Sequence, residues 1–258
     1  MRGFVRHIGR RWVNFVHYVG GVVIMLGRVL STLPRLVRSW HLVVAQMLSV
    51  GVQSLPLVLL VSVFTGAVAT WQAVYQFEGY VPMRYIGGAI GKTILLELGP
   101  VLTALVLTGR VGASMAAELG TMRVTEQIDA LDVMGIDPVR YLVMPRIAAG
   151  FVMLPVLVLF ANFVAIVGAL VVAVVFGGIS SEIFLNGFKL LFKTIDLNAG
   201  LLKAMVFGLI ITTIGCYQGF NTKGGAEGVG RATTSAVVVS SALILIANYL
   251  MATILFRI

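Results

Sequence analysis

Four stretches without a single charge constrain this chain more than anything else in it. Ser39–Phe77, Ile147–Ser181, Ala204–Thr222 and Ala232–Phe256 contain no Asp, Glu, Lys or Arg. A helix needs about 20 apolar residues to cross the hydrocarbon of a bilayer. Within that layer the backbone must satisfy its own hydrogen bonds, which a helix does inside one segment. Of the 258 residues 59% are hydrophobic and only 11% charged. A soluble domain carries roughly a quarter charged residues. The many short alternating strands of a membrane barrel are missing. The expected fold class is therefore an all-α polytopic membrane protein.

Taken in order, residues 1–20 predict a helix lying in the membrane interface. Val5, Ile8, Trp12, Phe15 and Val19 share one side, and Arg2, Arg6, Arg10, Asn14 and His17 the other. A short packed helix is the plainer alternative. The compact apolar core and cleavage site of a secretory signal are lacking there. Gly20-Gly21 and Ser31–Pro34 read as breaks around a second amphipathic piece. The expected division is an N-terminal region over 1–51 and a membrane domain over 52–258. Crossings are expected at Val52–Phe77, Gly91–Gly109, Ile147–Phe176, Leu201–Phe220 and Ala232–Phe256. Trp71, Tyr75, Phe77 and Tyr80 mark an interface at the end of the first. Pro82 and Gly87-Gly88 read as a connecting loop, Gly177-Gly178 as a stop, 179–200 as holding a short surface helix, and Asn221–Arg231 as a glycine-rich loop. With five crossings, thirteen basic residues fall on the side of the N-terminus and five on the other, with Lys203 inside the fourth span. That bias predicts a cytoplasmic N-terminus and an outward C-terminus. Splitting the long third run would reverse the end.

The segment between the second and third crossings is different. Five of the ten acidic residues lie between Glu118 and Asp137. One helix over 113–134, stopped by Gly135–Pro138, would place Glu118, Glu126, Asp129 and Asp132 within an arc of roughly 120°, with Val124, Ile128 and Leu131 opposite. One face would meet a soluble partner and the other pack on the membrane body. Glycosidase or metal chemistry needs a cavity and converging ligands; a plain acidic helix face explains this spacing better.

Glu97 is the most informative single residue, because a carboxylate at lipid depth is costly and usually functional or paired. Two readings stand: a functional group with a partner from another helix, subunit or cavity, or a carboxylate near the membrane edge held by loop amides. Arg110, thirteen residues on, is too far along one helix to pair with it. Other signals are weaker. Gly87–Thr93, GGAIGKT, is one residue short of a phosphate loop and lacks its strand-then-helix context. Cys216, the one cysteine, excludes an internal disulfide and reads as an apolar packing residue. Three histidines, all before residue 42, make a histidine metal site unexpected. Pairs such as Gly87/Gly91 permit close helix contact. No motif supplies nucleotide energy and few intramembrane charges could couple ions, so any transport draws its drive from elsewhere. A groove of Leu, Val, Phe and Met suits a lipid-like cargo. The basic excess near the N-terminus fits anionic lipid, not nucleic acid.

The stretch ELGPVLTALVLTGRVGASMAAELGTMRVTEQIDALDVMGIDPVRYLVMPR, Glu97 to Arg146, closely resembles the MlaE-like permeases that serve MCE-domain phospholipid ABC transporters. The likeness is strongest at Glu97–Pro100, Gly109–Ala113, Ala117–Gly120, Arg123–Gln127 and Asp137–Arg140. It implies a non-enzymatic inner-membrane permease working as a homodimer, with an N-terminal interfacial helix, five membrane helices and a cytoplasmic coupling helix at about 113–134. It implies a separate ATPase that holds the ATP and magnesium, a STAS-domain protein on that ATPase, and a periplasmic MCE-domain protein, often hexameric. The implied task is phospholipid transport that maintains outer-membrane lipid asymmetry, with no cofactor in this chain. By the same resemblance a lipid cavity lies near the first two membrane helices, at Glu97, Leu57, Val61, Phe64, Leu98 and Val101. ATPase coupling falls to Glu118, Arg123, Glu126, Asp129 and Asp132. Leu96 stands where a close relative carries arginine. A non-transporting scaffold and a self-contained secondary transporter remain as alternatives. Stimulation of the ATPase by lipid argues against the first, and uptake driven by an ion gradient alone favours the second.

Overall fold

The computed structural model describes residues 2–32, 39–77 and 82–255. Among them every regular element is helical: α1 (Arg2–Thr32), α2 (Trp40–Val50), α3 (Leu55–Phe77), α4 (Ile86–Thr93), α5 (Gly99–Leu107), α6 (Ala113–Val124), α7 (Gln127–Val133), α8 (Met144–Val175), α9 (Ser181–Leu191), α10 (Thr194–Phe220) and α11 (Gly225–Leu255). Five helical stretches are long and apolar enough to cross a membrane: Trp40–Phe77, Met83–Val124, Val139–Val175, Thr194–Phe220 and Gly225–Leu255. Apart from the last residues Phe176 and Phe256, all five expected crossings lie within these, and all five stretches begin earlier than expected.

α8 and α10 form the centre. α8 packs against α3, α2 and α10, while α10 also packs against α6 and α11. Small residues allow these approaches. A Cβ on Gly66 would come within 1.8 Å of the Ala165 carbonyl oxygen, so α3 and α8 touch backbone to backbone. Gly208 of α10 meets the Gly150 carbonyl of α8 in the same way. Around these contacts Leu154, Leu157, Phe207 and Ile211 are fully buried and fill one continuous core. α11 is the least covered span, with Val238, Ile246, Tyr249 and Ile254 exposed.

Several local expectations change. Gly20-Gly21 does not interrupt α1, which runs unbroken to Thr32. Its last turns are held by Met25 and Val29 in the core and by Tyr18, whose ring meets Tyr217 edge-on. Gly87-Gly88 is no loop: both lie inside α4, where the missing side chains let Phe184 and Gly187 of α9 come close. Asn221–Arg231 is mostly helix, because α11 begins at Gly225 and Glu227 pairs with Arg231 one turn on. The surface helix within 179–200 is α9, capped by the Ser180 hydroxyl, which accepts from the Ile183 amide. Gly177 and Gly178 end α8, Gly178 with φ of +62°. The expected break at Leu33–Pro34, the interface aromatic Tyr80, and the facing of Val5, Ile8 and Phe15 lie outside what is described.

Candidate functional site: the groove, the polar seam and the handle of the second span

The second crossing is one helical rod from Met83 to Val124, and everything that follows depends on its irregular turns. Two of these are π-helical, Ile94–Leu98 and Thr108–Gly112; a third, Val139–Val143, opens the next crossing. A π turn holds one residue more than an α turn and is frequent at functional sites. Each of the three carries one charged residue: Glu97, Arg110 and Arg140.

The Ile94–Leu98 turn aims Glu97 into the bundle. Lys203 Nζ on α10 donates to Glu97 Oε1 at 2.6 Å and to the Leu96 carbonyl at 3.2 Å. Asn248 Nδ2 on α11 donates to Glu97 Oε2 at 2.9 Å. The Lys203 side chain is 0% exposed and that of Glu97 36%. The partners of Glu97 thus come from two other helices and not from loop amides. A second pair lies nearer the far end, Lys92 to Asp196 at 3.7 Å. Together they form a polar seam joining the second span to α10 and α11.

The opposite flank of the same rod is open. Between α3 and the α4–α5 region lies a groove of about 820 Å³. Leu60, Val61, Phe64, Val68, Leu98 and Leu102 give it apolar walls. Gln72, Gln76 and Thr93 bring polar groups to its far half, and none of the described residues lining it is charged. Of the expected cavity residues, Val61, Phe64 and Leu98 are brought together here. Leu57 is exposed lower on α3 and Val101 packs against the core, both outside the lining. Glu97 is next to Leu98 but engaged in the seam. The glutamines at 72 and 76 were legible as an i, i+4 polar pair at the end of an apolar span.

The handle departs from the expected single helix over 113–134. α6 continues the second span to Val124, then the chain turns at Thr125-Glu126 and restarts as α7. Glu126 adopts φ of +60°, the one non-glycine residue with positive φ among those described. The common acidic arc is therefore broken. Arg123 bridges the turn to Asp129 through an ion pair. Glu118 sits apart on α6, where its carboxylate accepts from Arg146 Nη2 at 3.0 Å and from Ser114 at 3.1 Å. Arg146 is buried and its Nη1 also donates to the Leu142 carbonyl, so this pair braces α6 against the start of α8. On α7 Ile128 is 1% exposed and Leu131 half-buried, facing the core as expected, while Val124 is exposed. Gly135, φ +73°, ends α7 with the Ile136 amide bonded to the Leu131 carbonyl at 2.9 Å. Asp137 then caps the next helix by accepting from the Val139 amide. At the tip Val133 is 89% exposed, beside exposed Met134 and Ile136. Sequence reading missed this apolar knob, although Val133-Met134 before a terminating glycine in a charged segment was a usable signal.

Among the described residues no three His, Cys, Asp or Glu side chains converge to hold a metal ion. Gly87–Thr93 is helical throughout, and Cys216 is buried in the apolar core.

The sequence profile of the family described as Permease MlaE matches residues 43–254. A probable ABC transporter permease protein of Rickettsia felis is 41% identical over 251 residues, 97% of either chain. A probable ABC transporter permease protein of Synechocystis is 44% identical over 212 residues, 82% of this chain and 81% of its own. The intermembrane phospholipid transport system permease protein MlaE of Haemophilus influenzae is 32% identical over 254 residues, 98% of this chain and 97% of its own. With a match across most of its length, and with long apolar helices around a groove, the chain belongs to the MlaE family of ABC transporter permeases.

Proposed function

We propose that this chain is the membrane subunit of an ATP-driven phospholipid transporter, and that the groove between α3 and α4–α5 takes the acyl chains. The carrying observation is the shape and chemistry of that groove: about 820 Å³, walled by Leu60, Val61, Phe64, Leu98 and Leu102, with no charge among the described residues that line it. From Leu60 to Gln76 it follows sixteen helical steps, roughly 24 Å at 1.5 Å per residue, most of the about 30 Å thickness of the hydrocarbon core. A sugar or ion would leave such walls unused. The relative from Haemophilus influenzae, named for intermembrane phospholipid transport, supports the same cargo.

Two copies would face each other so that their grooves share one chamber in the inner membrane. The N-terminus and the handle are assigned to the cytoplasm and the C-terminus to the periplasm. A separate ATPase, itself bound by a STAS-domain protein, grips the handle. A periplasmic MCE-domain ring exchanges lipid at the far end, in service of outer-membrane lipid asymmetry. The grip is assigned to Glu126, Asp129 and Asp132 with Arg123, around the apolar knob of Val133 and Met134. Glu118, committed to Arg146, transmits the push from α6 to α8 and does not touch the motor. No bond is made or broken in this chain.

The test is ATP-dependent transfer of labelled phospholipid by the reconstituted complex. Phe64→Arg places a charge in the groove wall and is expected to stop transfer while ATPase association persists. Reversal of both Glu126 and Asp129 to Lys is expected to release the ATPase. Transfer at the normal rate through the Phe64→Arg protein refutes the groove as the path.

A further inference from the structure

A second, smaller cavity lies at the handle-side end of the same two spans. It measures about 210 Å³ and is lined by Gln46, Ser49 and Gln53 from α2 and the turn that follows, and by Arg110, Ser114 and Glu118 from the second span, with Val50, Val111 and Met115 behind them. In contrast to the groove, its walls are mainly polar.

Arg110 is the key to it. The π turn at Thr108–Gly112 brings its half-buried side chain toward α2. There Nη1 donates to the Ser54 hydroxyl and, at 3.3 Å, to the Ser49 carbonyl. Nε and Nη2 have no protein partner among the described residues. The pocket's carboxylate is already answered, since Glu118 is held by Arg146 and Ser114. That leaves the guanidinium uncompensated within the cavity, beside the side-chain amides of Gln46 and Gln53, which bond to no described residue. An arginine with a free edge and neutral donors around it is a receptor for phosphate oxygens. Its depth fits. About 20 residues cross the hydrocarbon, and Arg110 stands 24 residues beyond Ile86, where α4 begins. Gln53 and Ser54 stand a similar distance from Phe77 at the far end of α3. Both therefore lie at the level of lipid headgroups on the handle side.

We propose that the Arg110 cavity binds the phosphate of a phospholipid headgroup from the handle-side leaflet. It is a station separate from the acyl groove, placed where a lipid passes between that leaflet and the groove of the first two spans. The inference rests on phospholipid being the cargo. It does not need ATP, so it is tested apart from transport.

The experiment uses the purified permease complex in vesicles, with a photo-crosslinking residue at Val52, which is exposed on the same turn but outside the lining. The probes are labelled phosphatidylglycerol and labelled diacylglycerol with the same chains. Phosphatidylglycerol is expected to label about tenfold more strongly, the scale of one charge-assisted contact. Arg110→Gln should remove that preference and Arg110→Lys should keep most of it. Ser54→Ala removes the brace but leaves the cation, and should keep it too. Equal labelling by the two lipids overturns the proposal, as does an unchanged preference in Arg110→Gln. So does a loss in Arg110→Lys and Ser54→Ala as deep as in Arg110→Gln, which would make the arginine only a brace. Competition by millimolar inorganic phosphate would assign the site to a solution anion and overturn the lipid assignment. Loss of ATP-driven transfer with this preference intact would instead fault the groove reading.

Discussion

The two flanks of the second span are built on opposite principles. Toward α10 and α11 it is fastened by ion pairs that each have one buried member, Glu97 to Lys203 with Asn248 beside them, and Lys92 to Asp196. Toward α3 it offers an open groove whose lining carries no charge among the described residues. A buried ion pair is a weak source of net stability, but removing one partner is costly because the other charge is left unanswered. The seam thus fixes which way the rod faces. The groove, free of such contacts, can change width without breaking one. Fastening and open space are allotted to different sides of the same helix.

That contrast can be broken from the seam first. Glu97→Leu removes the carboxylate that faces the fully buried Lys203 and is expected to cost about 3–5 kcal/mol, read as a large fall in melting temperature of the purified protein. The paired change Glu97→Leu with Lys203→Met should recover most of it, since neither charge of the pair remains. Lys203→Met alone should cost less, roughly 1–3 kcal/mol, because Glu97 is partly exposed and keeps Asn248. A double-mutant cycle on the two positions measures the coupling, and additive effects would show that the seam is not a unit. Glu126→Gly relieves a left-handed backbone and is expected to raise stability by about 0.5–1 kcal/mol in denaturation of the complex without ATP. The smallest expected effect sharpens the comparison from the groove. Gln72→Leu should leave stability within about 0.5 kcal/mol while changing phospholipid transfer. A groove variant that unfolds the protein, or a seam variant that leaves its melting unchanged, would erase the distinction.

Much of this was legible because lipid imposes a crude grammar. The uncharged runs located four of the five long apolar helices, and Glu97 stood out as an expensive group needing a partner. The partner itself was hidden, since Lys203 lies 106 residues away and reads alone as a charge near a span's start. The handle's break was hidden for a different reason. Thr125-Glu126 contains neither Gly nor Pro, and its turn is stabilised by the Arg123–Asp129 pair across it, which spacing rules do not anticipate. Asn221–Arg231 misled because glycine usually signals a loop. Here Gly228 sits where the Lys223 carbonyl leaves no room for a side chain, and the helix forms around it. Arg110 was read only by its distance from Glu97, and its pocket depends on a turn with no sequence signature.

The π turns hold a geometric surplus within the rod. Each adds one residue to a turn, and one residue of α-helix is worth about 100° of rotation. A π turn spreads its extra residue over the rotation that four α residues cover, so deleting a single residue from Ile94–Leu98 would restore a regular spiral there and leave the Gly99–Val124 portion facing nearly as before, whereas the same deletion within a regular turn would spin it by about 100°. The exposed tip and the greasy wall thus keep their phase along one shaft, each surplus residue being taken in by its own turn without twisting one end against the other.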